Sequence, residues 1–349
     1  MDVSPRTSPP ALATAEVVAP TNRRQLMTTA AIVAVLILTL DLVAAALLAW
    51  RPVARDHWLV ASKWRLLDRA RATDTLVLGD SSCNQGVRPD VLGAALGGSV
   101  LNLCTIGDLL VINDVWMLEA YLRRNPPPAR VVVVHTHETW GRSDTQRLTE
   151  LLGHFPLRFG FWRDFEVALD VAPRDLARLA ASRWMLLDAV AGSVRAWLLA
   201  PWHVVAGRHQ LDARGFMAVH DPAPRQVRDD AAAHRATLGP AFAPSAINDL
   251  ALRALARTTA AHRIELFVAV APLFDGLWAD PAMQRRHHEL LAWLTEAVAE
   301  VPGATVIDGP PATFAADEMD RADHVTAGAA ASFSLWLADR ITGRTHGAR

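Results

Sequence analysis

Apolar and polar positions follow three different rules along this chain. From Ala30 to Trp50 the sequence is apolar with a single charge, Asp41. Roughly 20 helical residues span a bilayer core, so residues 25–50 are predicted as one transmembrane helix. Residues 1–24 ahead of it are rich in Pro, Thr, Ser and Ala without a period, and are expected to form a disordered tail. From 51 to 73 the pattern becomes amphipathic, with Trp58, Leu59, Trp64, Leu66 and Leu67 on one side, which predicts a linker helix. Beyond it, short apolar runs take over: 75–78, 100–103, the wholly β-branched Val131–Val134, 264–270 and 305–307. Helical patterns at 88–97, 109–124, 245–261 and 284–300 separate most of them. Apolar strands alternating with helices predict an α/β domain with a mainly parallel sheet, over 74–140 and 245–345. Residues 141–244 hold no convincing strand and are expected to be a mostly helical insertion or cap. Its apolar patch at 185–207 is interrupted by Asp188, Arg195 and Pro201, so a packed helix is expected there rather than a second span.

Composition narrows the function classes. The 35 basic and 36 acidic residues nearly cancel, and no basic patch invites nucleic acid. Hydrophobic residues make up 51%, which suits one anchor on a globular domain. Arg23 and Arg24 before the span favour an inside N-terminus and an extracytoplasmic domain; Arg51 and Arg55 beyond it pull the other way. A cleaved signal peptide is the competing reading, since Ala44-Ala45-Ala46 supplies small residues. Asp41 inside a span either contacts a membrane-protein partner or is one carboxylate tolerated in a long apolar helix.

In parallel α/β sheets the ligand site lies at the carboxyl ends of the strands. The first strand ends in Gly79-Asp80-Ser81-Ser82, where a serine at a strand-to-helix turn exposes its hydroxyl and turns its N–H toward an oxyanion. After the second strand comes Asn102-Leu103-Cys104-Thr105-Ile106-Gly107, ending in a glycine whose N–H is a free donor. The third ends in His135-Thr136-His137-Glu138. A C-terminal loop holds Asp320-Arg321-Ala322-Asp323-His324 ahead of a helix from about 329 to 341. A Gly-Asp-Ser tripeptide alone is weak, because small polar residues cap helices everywhere. Its pairing with a histidine loop at the same sheet edge is what points to a nucleophile and its base. His135 and His137, two apart at a strand end, project to one face and with Glu138 suggest a metal site, but no third ligand has convincing spacing. His287-His288 reads as a solvated helix face. Trp140 and Trp278 line a cleft or pack in the core.

These blocks resemble the SGNH/GDSL hydrolase superfamily, and within it the membrane-anchored branch of alginate and cell-wall polymer acylation proteins. Gly79, Asp80 and Ser81 match its first block, Gly107 after Asn102 its second, and His324 with Gly328 and the following helix its last. The resemblance covers 74–140 and 262–341. It implies a three-layer αβα sandwich around a five-stranded parallel sheet, no metal and no cofactor. It also implies a Ser81–His324 acyl-enzyme mechanism on an ester, with water or a glycan hydroxyl as acceptor. Two departures stand out. Arg321 occupies the position of the family's aspartate, leaving Asp320, slightly favoured, or Asp323 to support His324. The asparagine after the third strand is absent, so the oxyanion site rests on Ser81 and Gly107, with His135 as a further candidate. The competing reading is a non-catalytic envelope scaffold or glycan-binding partner. With the first two strands as neighbours, Cys83 and Cys104 come within disulfide range, which an extracytoplasmic domain permits.

Overall fold

The computed structural model describes residues 23–50, 55–184, 211–239 and 241–343. Most of the expected tail and the whole of the 185–207 patch lie outside the described residues. Five strands form one parallel sheet: β1 Thr75–Gly79, β2 Val100–Asn102, β3 Arg130–His135, β4 Glu265–Val270 and β6 Ala304–Val306, in the order β2-β1-β3-β4-β6. This is a doubly wound α/β fold, as the alternation of apolar runs and helices predicts. Two short pairings were not foreseen: β5 Leu273–Phe274 with β7 Thr313–Phe314, and the antiparallel hairpin of β8 Met319–Arg321 and β9 His324–Val325. Runs of two or three residues carry no period for a pattern to reveal.

The sheet is buried on both faces, so its strands read as continuous apolar runs. Leu76, Leu78, Val131, Val133, Leu266 and Val268 enter one core. It is covered by α2 Arg55–Asp68, α5 Leu110–Leu122, α10 Ala246–Ala261 and α11 Pro281–Val298. Val77, Val132, Val134 and Ala269 enter the other. That side carries α3 Ser81–Gly86, α4 Pro89–Leu96 and α12 Ala327–Thr342. Local signals start the longer helices: Asp280 caps α11 through the Ala282 N–H, and Ser245 caps α10 through the Asn248 N–H.

The insertion falls between β3 and β4. α6 His137–Gly141 leads into it, and its described part includes α7 Gln146–Leu151, α8 Pro173–Trp184 and α9 Pro224–Thr237. Its first half is core rather than cap. Phe155, Phe161 and Phe165 are buried against Trp64 and Trp116 in tilted, edge-on and stacked contacts. Aromatic rings in such geometries add to the burial of their apolar area.

α2 is likewise more than a spacer. Leu59, Val60, Trp64 and Leu67 are buried. Lys63, the only lysine in the sequence, is fully buried too. Its Nζ donates to Asn102 O at 2.9 Å, Asn102 Oδ1 at 3.0 Å and Gly215 O at 2.6 Å. Burial pulls the amine well below its ordinary pKa, opposed by the charge of Asp212. Three acceptors match the three N–H groups of an ammonium.

Ahead of this domain, α1 Arg23–Trp50 carries the apolar stretch Arg23–Val43, none of it buried against protein. It is one helix long and apolar enough to cross a membrane, a test that a signal sequence also passes.

Candidate active site

The strand order reverses between β1 and β3, and the site is built at their carboxyl ends. β1 ends in Gly79, at φ +146°, a conformation L side chains rarely adopt. A Cβ there would stand 1.9 Å from Val134 O, so only glycine lets the chain turn this close to β3. The turn delivers Asp80 as N-cap of α3, its Oδ1 accepting from the Ser82 N–H at 3.1 Å. Ser81 becomes the first helical residue, where the backbone N–H has no intrahelical partner.

Ser81 Oγ lies 2.8 Å from His324 Nε2, and His324 Nδ1 lies 2.5 Å from Asp323 Oδ1. The carboxylate is therefore Asp323 and not the favoured Asp320. Adjacent side chains point apart on extended chain, but Ala322 and Asp323 form the two-residue turn between β8 and β9. The turn swings Asp323 back onto its neighbour. The hairpin is tied to the helix that carries Ser81 by Ser82 Oγ, which donates to Asp323 O. Asp320 lines the cleft without meeting the imidazole in a hydrogen bond. Burial disfavours the imidazolium, but the charge and hydrogen bond of Asp323 outweigh it and hold His324 above its ordinary pKa. Burial raises Asp323 in turn, and the pairing with His324 brings it below the usual carboxylate range.

Gly107 lines the same cleft, and its N–H meets no protein acceptor among the described residues. A Cβ on it would come within 2.8 Å of Thr139 Oγ1. His135 does not belong to the oxyanion site. It is 1% exposed beneath the cleft, its Nε2 2.6 Å from Asp114 Oδ2 and its Nδ1 3.4 Å from Asp80 Oδ2. Burial would strip its proton, but the two carboxylates outweigh that and push its pKa up to about 10. Asp80 is pushed up by burial, then held far below the usual range by His135, the Thr136 N–H at 2.7 Å and the Thr139 hydroxyl at 2.8 Å. Burial raises Asp114, with His135 pulling it back. Asp114 of α5 thus supplies one of the two carboxylates of a buried charge network. Its signal was an acid on the buried face of α5.

His135 and His137 do not converge, because β3 ends between them and His137 opens α6. His137 Nε2 lies 2.9 Å from His287 Nδ1, and His287 Nε2 lies 2.9 Å from Gly309 O. A carbonyl only accepts, so His287 donates to it and His137 donates to His287. Burial holds both imidazoles below their ordinary pKa. His287 is 2% exposed, not part of a solvated face. Trp140 is core, and Trp278 stacks edge-on against His287.

Asn102 ties elements together: its Nδ2 donates to Cys83 O and Val87 O, and its Oδ1 accepts from the Cys104 N–H. Cys83 and Cys104 form a disulfide with Cα atoms 5.7 Å apart, joining α3 to the chain after β2.

The cleft encloses about 500 Å³. One wall comes from the insertion, for which the sequence offered no role: Asp230, Ala233, His234 and Thr237 of α9. His234 Nδ1 is 2.8 Å from Glu138 Oε1. That hydrogen bond raises His234 and lowers Glu138 relative to their ordinary values. Leu59 of α2 lines another wall. No family model matches the chain, and no curated protein matches it in sequence. The resemblance to SGNH hydrolases is carried by the residues named above.

Proposed function

We propose that this protein is a serine ester hydrolase or O-acyltransferase of SGNH type, tethered to the cytoplasmic membrane with its domain outside the cytoplasm, acting on an acylated envelope glycan or similar ester. The observation that carries this is the continuous chain Ser81 Oγ–His324–Asp323, with both links at hydrogen-bond distance, opening into a polar cleft. Ser81 Oγ attacks the ester carbonyl while its proton passes to His324 Nε2. Asp323 stabilises the imidazolium and fixes the tautomer. The N–H groups of Ser81 and Gly107 receive the oxyanion. His324 returns the proton to the leaving alcohol. Water or a sugar hydroxyl, deprotonated by the same imidazole, then releases the acyl group. The disulfide supports an oxidising compartment, and α1 supplies the tether.

A weaker catalyst or a glycan-binding scaffold is the second reading, and one observation favours it. The end of β3 offers no spare side-chain donor: the Thr139 hydroxyl is committed to Asp80, and the Thr136 hydroxyl to Thr139. Losing one oxyanion donor typically costs about 3–4 kcal/mol of transition-state stabilisation. The deciding experiment uses the full chain in detergent with p-nitrophenyl acetate and a fluorophosphonate probe. Hydrolysis and labelling, both lost by about a thousandfold or more in Ser81→Ala, are expected. Neither hydrolysis nor labelling in the wild type leaves the scaffold.

A further inference from the structure

Gln85 sits one helical turn after Ser81, on the same face of α3, and lines the same cleft. It is 1% exposed, and neither its amide oxygen nor its amide nitrogen has a hydrogen-bond partner among the described residues. Buried side-chain amides in native proteins are almost always partnered. An unpartnered one beside a nucleophile marks a place where a ligand supplies the missing groups.

The charges around it restrict that ligand. Six carboxylates line the cleft against two guanidinium groups and two imidazoles. Every one of those cations is engaged. Arg142 pairs with Asp108 and Glu138, Arg321 with Asp230, His234 with Glu138, and His324 with Asp323. Asp320 lines the cleft with no ion pair or hydrogen bond among the described residues. An anionic ligand would meet excess negative charge, focused by the cleft walls, and would have to break an existing pair to find a cation. Its anionic group would also present only acceptors to Gln85. An amide offers one carbonyl acceptor and two N–H donors. Its complement is a group that both donates and accepts, such as a hydroxyl or an acetamido group.

Resting on the acyl-transfer reading of the same cleft, we propose that Gln85 reads a neutral, hydroxyl- or acetamido-bearing sugar beside the ester, and that the cleft refuses uronates and other anionic glycans. The test is binding, so that it does not depend on turnover. Ser81→Ala full-length protein in detergent is titrated calorimetrically with the N-acetylglucosamine tetramer, cellotetraose and the galacturonate tetramer. At least one neutral tetramer is expected to bind about tenfold or more tighter than the uronate. Gln85→Leu and Gln85→Glu on that background, each checked for an unchanged melting temperature, are expected to weaken the neutral ligand by about tenfold. Two variants are used so that a folding defect in one leaves the other to decide. Uronate binding as tight as the neutral sugars overturns the proposal. So does an absence of binding by all three, or neutral binding indifferent to both folded variants. Labelling of wild-type Ser81 by the fluorophosphonate is scored separately. Its absence alongside the expected binding order would remove the enzyme reading and leave the neutral-sugar reading standing.

Discussion

At the scale of single residues, the two aspartates flanking the histidine loop have separate fates. Asp323→Asn should lower kcat/KM on a small neutral ester by about two to four orders of magnitude, because it removes the group that orients His324 and stabilises its charge. Asp320→Asn should cost far less on the same substrate, and equal losses in the two variants would reverse the assignment. In the proposed mechanism the His324 imidazole must be neutral to accept the Ser81 proton. Since Asp323 holds its pKa above 6.5, kcat/KM should rise with pH through a midpoint above 6.5. That midpoint should move down in Asp323→Asn. The buried histidine beneath the site has a different job. Removing His135 leaves Asp80 and Asp114 without their counter-charge, and His135→Ala should cost about 3–5 kcal/mol in denaturant unfolding. Its folded pKa of about 10 exceeds the unfolded value. Its contribution is therefore complete below about 6.5 and lost as pH rises through 10. Asp80 works the other way: its depressed pKa contributes above the ordinary carboxylate value and is lost as pH falls through the folded one. Thermal melts should accordingly show the native state weakening at both extremes.

Among elements, legibility in the sequence tracked length and period. The five sheet strands were visible, because burial on both faces writes a strand as an unbroken apolar run, and so were the longer helices α4, α5, α10 and α11. Gly79, Ser81, Gly107 and His324 were legible because each sits at an end of such a run or in a loop after one. The Ala322-Asp323 turn was not, since its shape comes from two-residue strands paired across it. Nor was the role of α9, whose Asp230 and His234 reach the cleft only through tertiary packing. The disulfide between α3 and the segment after β2 closes a loop of 21 residues, and loops of that size are worth about 3 kcal/mol. Cys83→Ser/Cys104→Ser should lower stability by roughly that amount by chemical denaturation. Free thiols that alkylate in the native, unreduced protein would contradict the pairing.

For the molecule as a whole, the apolar α1 and the core-packed α2 lie close in sequence. Trp50 and Leu59 are nine residues apart, the last four of those steps helical. Such a stretch spans at most ~25 Å, so a membrane-held α1 would keep one cleft wall near the bilayer surface. An uncleaved anchor predicts that the mature protein keeps residues 25–50 by intact mass and stays with membranes after a carbonate wash. A mass ending upstream of the domain near residue 46 would mean a signal peptide instead. Lys63 fastens α2 to Asn102 and to Gly215 of the insertion. As the sequence's only lysine, it also gives a lysine-specific protease a single site. That site is closed while α2 is docked. Each cut made under mild denaturant therefore counts one molecule whose tether has come away from the strand beside Ser81.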